Sequence, residues 1–224
     1  MKIRRLQYNI DYTHILTFRE EYKSAVLPVF GFENLSYSID NENTINESIR
    51  LIFKTEAFGL FIRKEGITFL FEGDINDLRN QNGVFRFFWD MYERITIFRG
   101  YKKTNRHSII IHAVDILDKE NSNDILTNCP YLKLNPFGKL DEFAAIYNFK
   151  KEDKICKFQF GNYSENDIKT HDLSPFETEF NNDLLANEGI MCKVEISEDC
   201  KAPSFSKFKT ILKDAKEIIS LYNI

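Results

Sequence analysis

The hydrophobic and polar positions change period several times along the chain, and each change marks an element. Residues 2–12 read as an opening strand, after which Thr13 caps a helix whose apolar positions Ile15, Phe18, Tyr22 and Val26 recur at helical spacing. Pro28 and Gly31 close that helix. A polar stretch, Asp40 to Glu47, precedes the strand-period residues Ile49, Leu51 and Phe53 and a second strand from Phe58 to Arg63. The turn Lys64-Glu65-Gly66 supplies a glycine for positive φ, and Ile67, Phe69 and Phe71 then place three large apolar groups on one sheet face. Neighbouring strands joined this way pair antiparallel. From about Asn80 the period turns helical: Val84, Phe88, Met91 and Ile95 form one stripe, and Phe85 and Tyr92 widen it. After Gly100 and a basic loop, Ile109, Ile110 and Ile111 lead into a strand ending near Ile116, apolar on both faces and therefore central in its sheet.

The second half begins after a polar segment, Asp118 to Asp124, and a loop punctuated by Pro130 and Pro136. Ala145, Tyr147 and Phe149 alternate on one strand and Cys156, Phe158 and Phe160 on the next, with Lys150 to Lys154 as the turn of a hairpin. Residues 164–188 are acidic and poorly periodic, which predicts a long loop with a short helix around Glu177 to Leu185. Alternation returns at Ile190, Cys192, Val194 and Ile196. After Pro203 the stripe Phe208, Ile211, Leu212, Ala215, Ile218, Ile219 and Tyr222 marks a C-terminal helix. The fold class expected is α+β, with largely antiparallel sheets each covered by an amphipathic helix. Residues 1–117 and 118–224 form two related lobes, or contribute to one sheet extended across both.

Composition supports a packed chain: 43% of residues are hydrophobic, and 21 Phe, 10 Tyr and one Trp fill the space between a sheet and its helices. No window approaches the roughly 18 apolar residues of a membrane span, and the N-terminus lacks the apolar core of a signal peptide, so a cytoplasmic protein without a membrane partner is expected. The four cysteines, Cys129, Cys156, Cys192 and Cys200, form no C-x-x-C pair and read as reduced structural thiols. Eight Ala against 26 Ile and 20 Asn point to an A+T-rich bacterial or mobile-element coding sequence.

A net charge of -4 argues against a dedicated nucleic-acid coat, yet the charge is unevenly spread. Residues 94–107 carry Arg94, Arg99, Lys102, Lys103 and Arg106 with Phe98 and Tyr101 interleaved and no acid. Such a run can neutralise phosphates while Tyr101 stacks on a base, or it can dock an acidic protein. A helix C-terminus also attracts cations through its partial negative charge, which accounts for Arg94 and Arg99 without any partner. Residues 165–200 are the counterpart, near -8, with Glu177, Glu179, Asp183 and Glu188 as an acidic interaction surface.

Catalytic sets are harder to assemble. His107 and His112 lie five apart on a strand and project from opposite faces, so they cannot share a metal. His14 and His171 stand alone, and no local signature pairs His171 with Cys192 or Cys200 as a nucleophile. Glu72 and Asp74 end a strand with like facing, an arrangement that can hold Mg²⁺, but no acidic-x-Lys motif follows. G-x-G-x-x-G, Walker and H-E-x-x-H motifs do not occur, and no cofactor or metal is expected.

One stretch carries a resemblance. Arg106-His107-Ser108-Ile109-Ile110-Ile111-His112-Ala113 aligns with the Arg-x-Gly-x-Arg-Tyr-x-Asn strand of a sporadically distributed bacterial family of uncharacterised α+β proteins. The first Arg matches and Ser108 is small where Gly is expected, whereas Ile110 replaces the second Arg and Ala113 the Asn. Asp124-Ile125-Leu126, Cys129-Pro130 and the strand Gly189 to Ser197 before the last helix also resemble the family pattern. The resemblance implies the fold and a mobile-element or phage-defence context. Charge polarity and the absence of an assembled catalytic set favour a non-enzymatic protein-interaction or regulatory subunit of a bacterial complex, self-associating or bound to another protein. A nucleic-acid-binding accessory using Arg94 to His107 is the alternative, and a metal-dependent hydrolase built on Glu72 and Asp74 ranks third.

Overall fold

A computed structural model of the chain describes residues 1–26, 35–55, 57–73, 75, 82–116, 144–164 and 188–220. Within them lie nine strands: β1 (Lys2–Tyr12), β2 (Leu35–Asp40), β3 (Ser48–Phe53), β4 (Phe58–Arg63), β5 (Gly66–Glu72), β6 (Thr104–Ile116), β7 (Ala144–Lys151), β8 (Lys154–Ser164) and β9 (Glu188–Asp199). Three helices accompany them: α1 (Phe18–Val26), α2 (Asn82–Thr96) and α3 (Phe205–Ser220). All nine strands join one antiparallel sheet in the order β2-β3-β4-β5-β1-β6-β9-β8-β7. The sheet crosses the midpoint of the chain, because β6 pairs with β9 from Arg106↔Asp199 to Ile116↔Gly189.

Alternation along β1 sets the two faces. Leu6, Tyr8, Ile10 and Tyr12 are buried on one face, with Tyr8 opposite Phe69 of β5 and Ile109 of β6. Helices α2 and α3 pack here: the Phe88 ring meets Tyr8 edge-on at 5.7 Å, and Phe208 meets Tyr8 at 4.9 Å and Phe85 at 4.7 Å. Each fully buried Phe contributes about 1.5–3 kcal/mol and each ring pair about 0.5–1.5 kcal/mol more, so this aromatic junction is the centre of the core. The other face of β1 is polar. Asn9 Oδ1 accepts from Gln7 Nε2 and Thr68 Oγ1, both at 2.9 Å, and Asn9 Nδ2 donates to Ser108 Oγ at 3.0 Å.

Three local expectations are corrected. Helix α1 begins at Phe18 rather than after Thr13, because the Thr13 amide donates to the Lys103 carbonyl at 2.9 Å and holds that stretch extended. Gly66 does not take positive φ: it opens β5, where an added Cβ would stand 3.1 Å from the Ile10 carbonyl, so close approach to β1 is what requires glycine there. Strand β2 was not foreseen; Tyr37 is exposed and its other residues are only partly buried, and Ser36 and Ser38 interrupt the apolar pattern. The helix expected around Glu177 to Leu185 lies outside the described residues.

Candidate functional site

The basic segment begins at Arg94 in the last turn of α2 and is tied into the fold at Arg99, Tyr101 and Arg106. Arg99 reaches Glu20 at 3.5 Å and Glu21 at 3.9 Å, and its amide donates to Glu21 Oε2 at 3.1 Å. Arg106 donates to Ser197 Oγ across the β6–β9 pair at 2.6 Å. Tyr101 turns inward: its hydroxyl lies 2.7 Å from Thr104 Oγ1 and 3.2 Å from the Tyr92 hydroxyl, and its ring leans on Tyr12 at 5.9 Å. That leaves Arg94, Lys102 and Lys103 as exposed cations. Glu177, Glu179 and Asp183 of the acidic set lie outside the described residues, and Glu188 opens β9. Glu72 is buried against Arg5 in an ion pair and Asp74 lies outside the described residues. Among the described residues no group of three His, Cys, Asp or Glu is placed to hold a metal.

A network the sequence did not reveal lies under the helices. His107 faces the core, fully buried, and its Nδ1 is 2.7 Å from the Tyr8 hydroxyl while its Nε2 is 2.6 Å from Glu198 Oε1. An ionised Glu198 only accepts, so Nε2 carries the hydrogen and the neutral ring receives the Tyr8 O–H at Nδ1. Burial holds the His107 pKa below its ordinary value although Glu198 pulls it up, and burial pushes the Tyr8 hydroxyl well above its own. The chain Tyr8–His107–Glu198 has the order of a catalytic relay, but Tyr8 is inaccessible and stays protonated, so it works as a buried clamp between β1, β6 and β9. Beside it Lys207 Nζ of α3 lies 3.4 Å from Cys200 Sγ. Cys156, Cys192 and Cys200 are free and buried, and burial pushes the Cys192 thiol up to about 12. His112, on the other face of β6, stands opposite Arg5. A cleft of about 650 Å³ opens between α2 and the β9–α3 connection, lined by Phe85, Trp89, Tyr92, Lys201, Pro203 and Phe205 among others.

The third feature is the sheet edge at β7. Among the described residues strand β7 is paired on one side only, with Tyr147 opposite Phe158 and Phe149 opposite Cys156 of β8. Ile146 is 55% exposed, Tyr147 47% and Phe149 39%, and Ile155 of β8 adds 54%. The hairpin turns at Glu152, whose φ is 56°, and is anchored to α3: Lys154 pairs with Asp214, and Lys151 reaches Asp214 at 3.2 Å. Hydrogen bonds from the two lysines hold the Asp214 carboxyl below its usual range despite partial burial. The anchored base therefore presents an open edge with apolar side chains on both faces. Compared with known families and curated proteins, the chain matches no family model and no curated sequence.

Proposed function

We propose that the protein is a non-enzymatic protein-interaction or regulatory subunit of a bacterial complex, working in the cytoplasm and belonging to a mobile-element or phage-defence context. The β7 edge carries this proposal. Sheet edges are normally blunted by charge, bulges or a covering element, since open backbone donors and acceptors recruit further strands. β7 instead sets exposed Ile146, Tyr147 and Phe149 beside a ladder that no other described strand joins, the combination used when a partner adds a strand to a sheet. The basic segment supports nucleic-acid binding less well, because Arg99, Tyr101 and Arg106 already have partners within the chain. A hydrolase centred on Glu72 is weaker still, as Arg5 neutralises that carboxylate.

The strand arrangement also supports two related lobes. In lobes 1–117 and 118–224 antiparallel strands precede a long helix, β2 to β5 before α2 and β7 to β9 before α3, and the two meet at β6–β9. Phe88 and Phe208 then reach the same Tyr8 from the two helices.

Affinity purification from the source cell tests the interaction role. A partner held by β7 should be enriched by the unsubstituted chain and depleted roughly tenfold by the Ile146→Lys, Phe149→Lys variant, with an unchanged thermal midpoint because both side chains are exposed. Equal recovery from both chains would remove β7 as the docking edge.

A further inference from the structure

We propose that the cleft between α2 and the β9–α3 connection is a binding site for a small aromatic carboxylate. The site adds a small-molecule ligand to the interaction role above and does not rest on it. Its volume of about 650 Å³ lies within the roughly 300–1,000 Å³ of sites that enclose small molecules. Phe85, Trp89 and Tyr92 stand four and three residues apart on α2 and so share one wall of the cleft, with Pro203 and Phe205 on the other. Phe205 keeps 44% of its surface exposed while its ring lies 5.9 Å from Phe85. A flat ring entering here gains apolar and aromatic contact from both walls. The second wall is fixed in advance. Where the connection starts, the Cys200 amide donates to the Asn105 carbonyl at 3.0 Å; where it ends, the Ser204 carbonyl receives the Phe208 amide at 2.9 Å and the Ser204 hydroxyl the Lys207 amide at 3.3 Å. Pro203 locks φ between them. A wall held at both ends needs little ordering when a ligand arrives.

Charge then chooses the ligand. Among the lining residues Arg86 and Lys201 are cations on opposite walls and Glu93 is the one acid, so the cleft carries one positive charge in excess. Asp90 lies 3.9 Å from Arg86, but the Arg86 side chain is 83% exposed and that of Asp90 54%, and so exposed a pair contributes little. A single negative charge balances the cleft. A carboxylate supplies it, and its two oxygens match the fork of the Arg86 guanidinium. A phosphate monoester carries nearly two charges at neutral pH and overshoots that balance. A cationic ring is disfavoured, because the Phe205 ring that would receive it already holds Lys209 Nζ at 4.4 Å from its centroid.

Trp89 is the single tryptophan of the chain and lines the cleft, so its fluorescence reports a ligand that enters. The probe is 4-nitrobenzoate, whose nitro-substituted ring quenches indole emission on contact. Quenching should saturate with a dissociation constant at or below about 1 mM, the affinity open to a ligand of this size. The uncharged 4-nitrobenzamide, with the same ring, should bind at least about threefold more weakly. Arg86→Glu combined with Lys201→Glu should cost 4-nitrobenzoate roughly tenfold in affinity and leave the amide unaffected. Both side chains are exposed, so the thermal midpoint should hold, and Lys201→Gln alone should cost about threefold. Quenching that rises linearly without saturating, equal binding of acid and amide, or an unchanged affinity in the charge-reversed chain overturns the proposal. None of these outcomes bears on a partner at β7, which the affinity purification above reads separately.

Discussion

Replacing Tyr8 with Phe isolates one buried hydroxyl. The phenyl ring keeps the edge contacts with Phe88 at 5.7 Å and Phe208 at 4.9 Å, so little packing changes. What disappears is the 2.7 Å hydrogen bond to His107 Nδ1. The ring cannot compensate by changing tautomer, since Nε2 must keep its hydrogen for Glu198 at 2.6 Å. Nδ1 is left as a desolvated acceptor inside a fully buried residue. Leaving such a group unsatisfied costs about 1–3 kcal/mol. For a chain of this size that corresponds to a fall in Tm of about 2–12 °C. Trp89 is the single tryptophan and its ring lies 6.1 Å from Tyr8, so its fluorescence during urea unfolding follows this region. Adding His107→Leu to Tyr8→Phe removes both partners and lets the partly exposed Glu198 return to water, so the double variant should be more stable than the sum of the single losses by roughly 1 kcal/mol or more. A Tyr8→Phe loss below about 0.5 kcal/mol, or strict additivity, would show that the clamp does not stabilise the fold.

Two further outcomes follow from the same geometry. The unfolded chain protonates His107 near pH 6.5, whereas burial lowers the folded value, so the unfolded state binds the proton first as pH falls. Stability is therefore full above about pH 6.5 and declines as pH drops from there through the folded pKa, with Glu198 of β9 opposing the shift and Lys207 of α3 and Lys154 of β8 reinforcing it. Urea midpoints at pH 7.5 and 5.5 should diverge more for the unsubstituted chain than for His107→Gln; equal divergence would place the dependence elsewhere. For the basic segment, any DNA or RNA binding rests on exposed cations, so Lys102→Glu with Lys103→Glu should reduce the slope of log affinity against log salt by about 2, and an unchanged slope would exclude these lysines from phosphate contact.

Elements with clean alternation were legible in the chain itself. Ile49 to Phe53, Phe58 to Arg63 and Ile67 to Phe71 announce β3, β4 and β5, and the stripes around Phe88 and Phe208 announce α2 and α3. Strand β2 escaped notice because a half-buried edge with Ser36 and Ser38 lacks the contrast that periodicity detects. Strand order was a different matter. Nothing local in Leu6 to Tyr12 says that β6 rather than β2 will lie beside it. The Tyr8–His107–Glu198 clamp needs the registers of both β1–β6 and β6–β9 to be known, with Tyr8 opposite Ile109 and His107 opposite Glu198. His107 shares its parity with Ile109 and Ile111, which places it on the core face, but no spacing in the sequence announces Glu198. The basic run was visible as charge, while its ties to Glu20, Glu21 and Ser197 come from chain segments far away in sequence.

The position of β1 between β5 and β6 has a consequence for how the protein is made. Tyr12 ends β1 and Thr104 opens β6, so a nascent chain holds β1 with one flank bare while everything through α2 is synthesised. β5 can close the other flank early, since the meander β2 to β5 returns to it. The bare flank is long and apolar on its core side, the kind of edge that associates wrongly when left waiting. Arrival of β6 seals it, and the Tyr8–His107 bond forms only at that step. During biogenesis the same pair of residues that clamps the finished sheet thus marks the moment at which β1 gains its second neighbour.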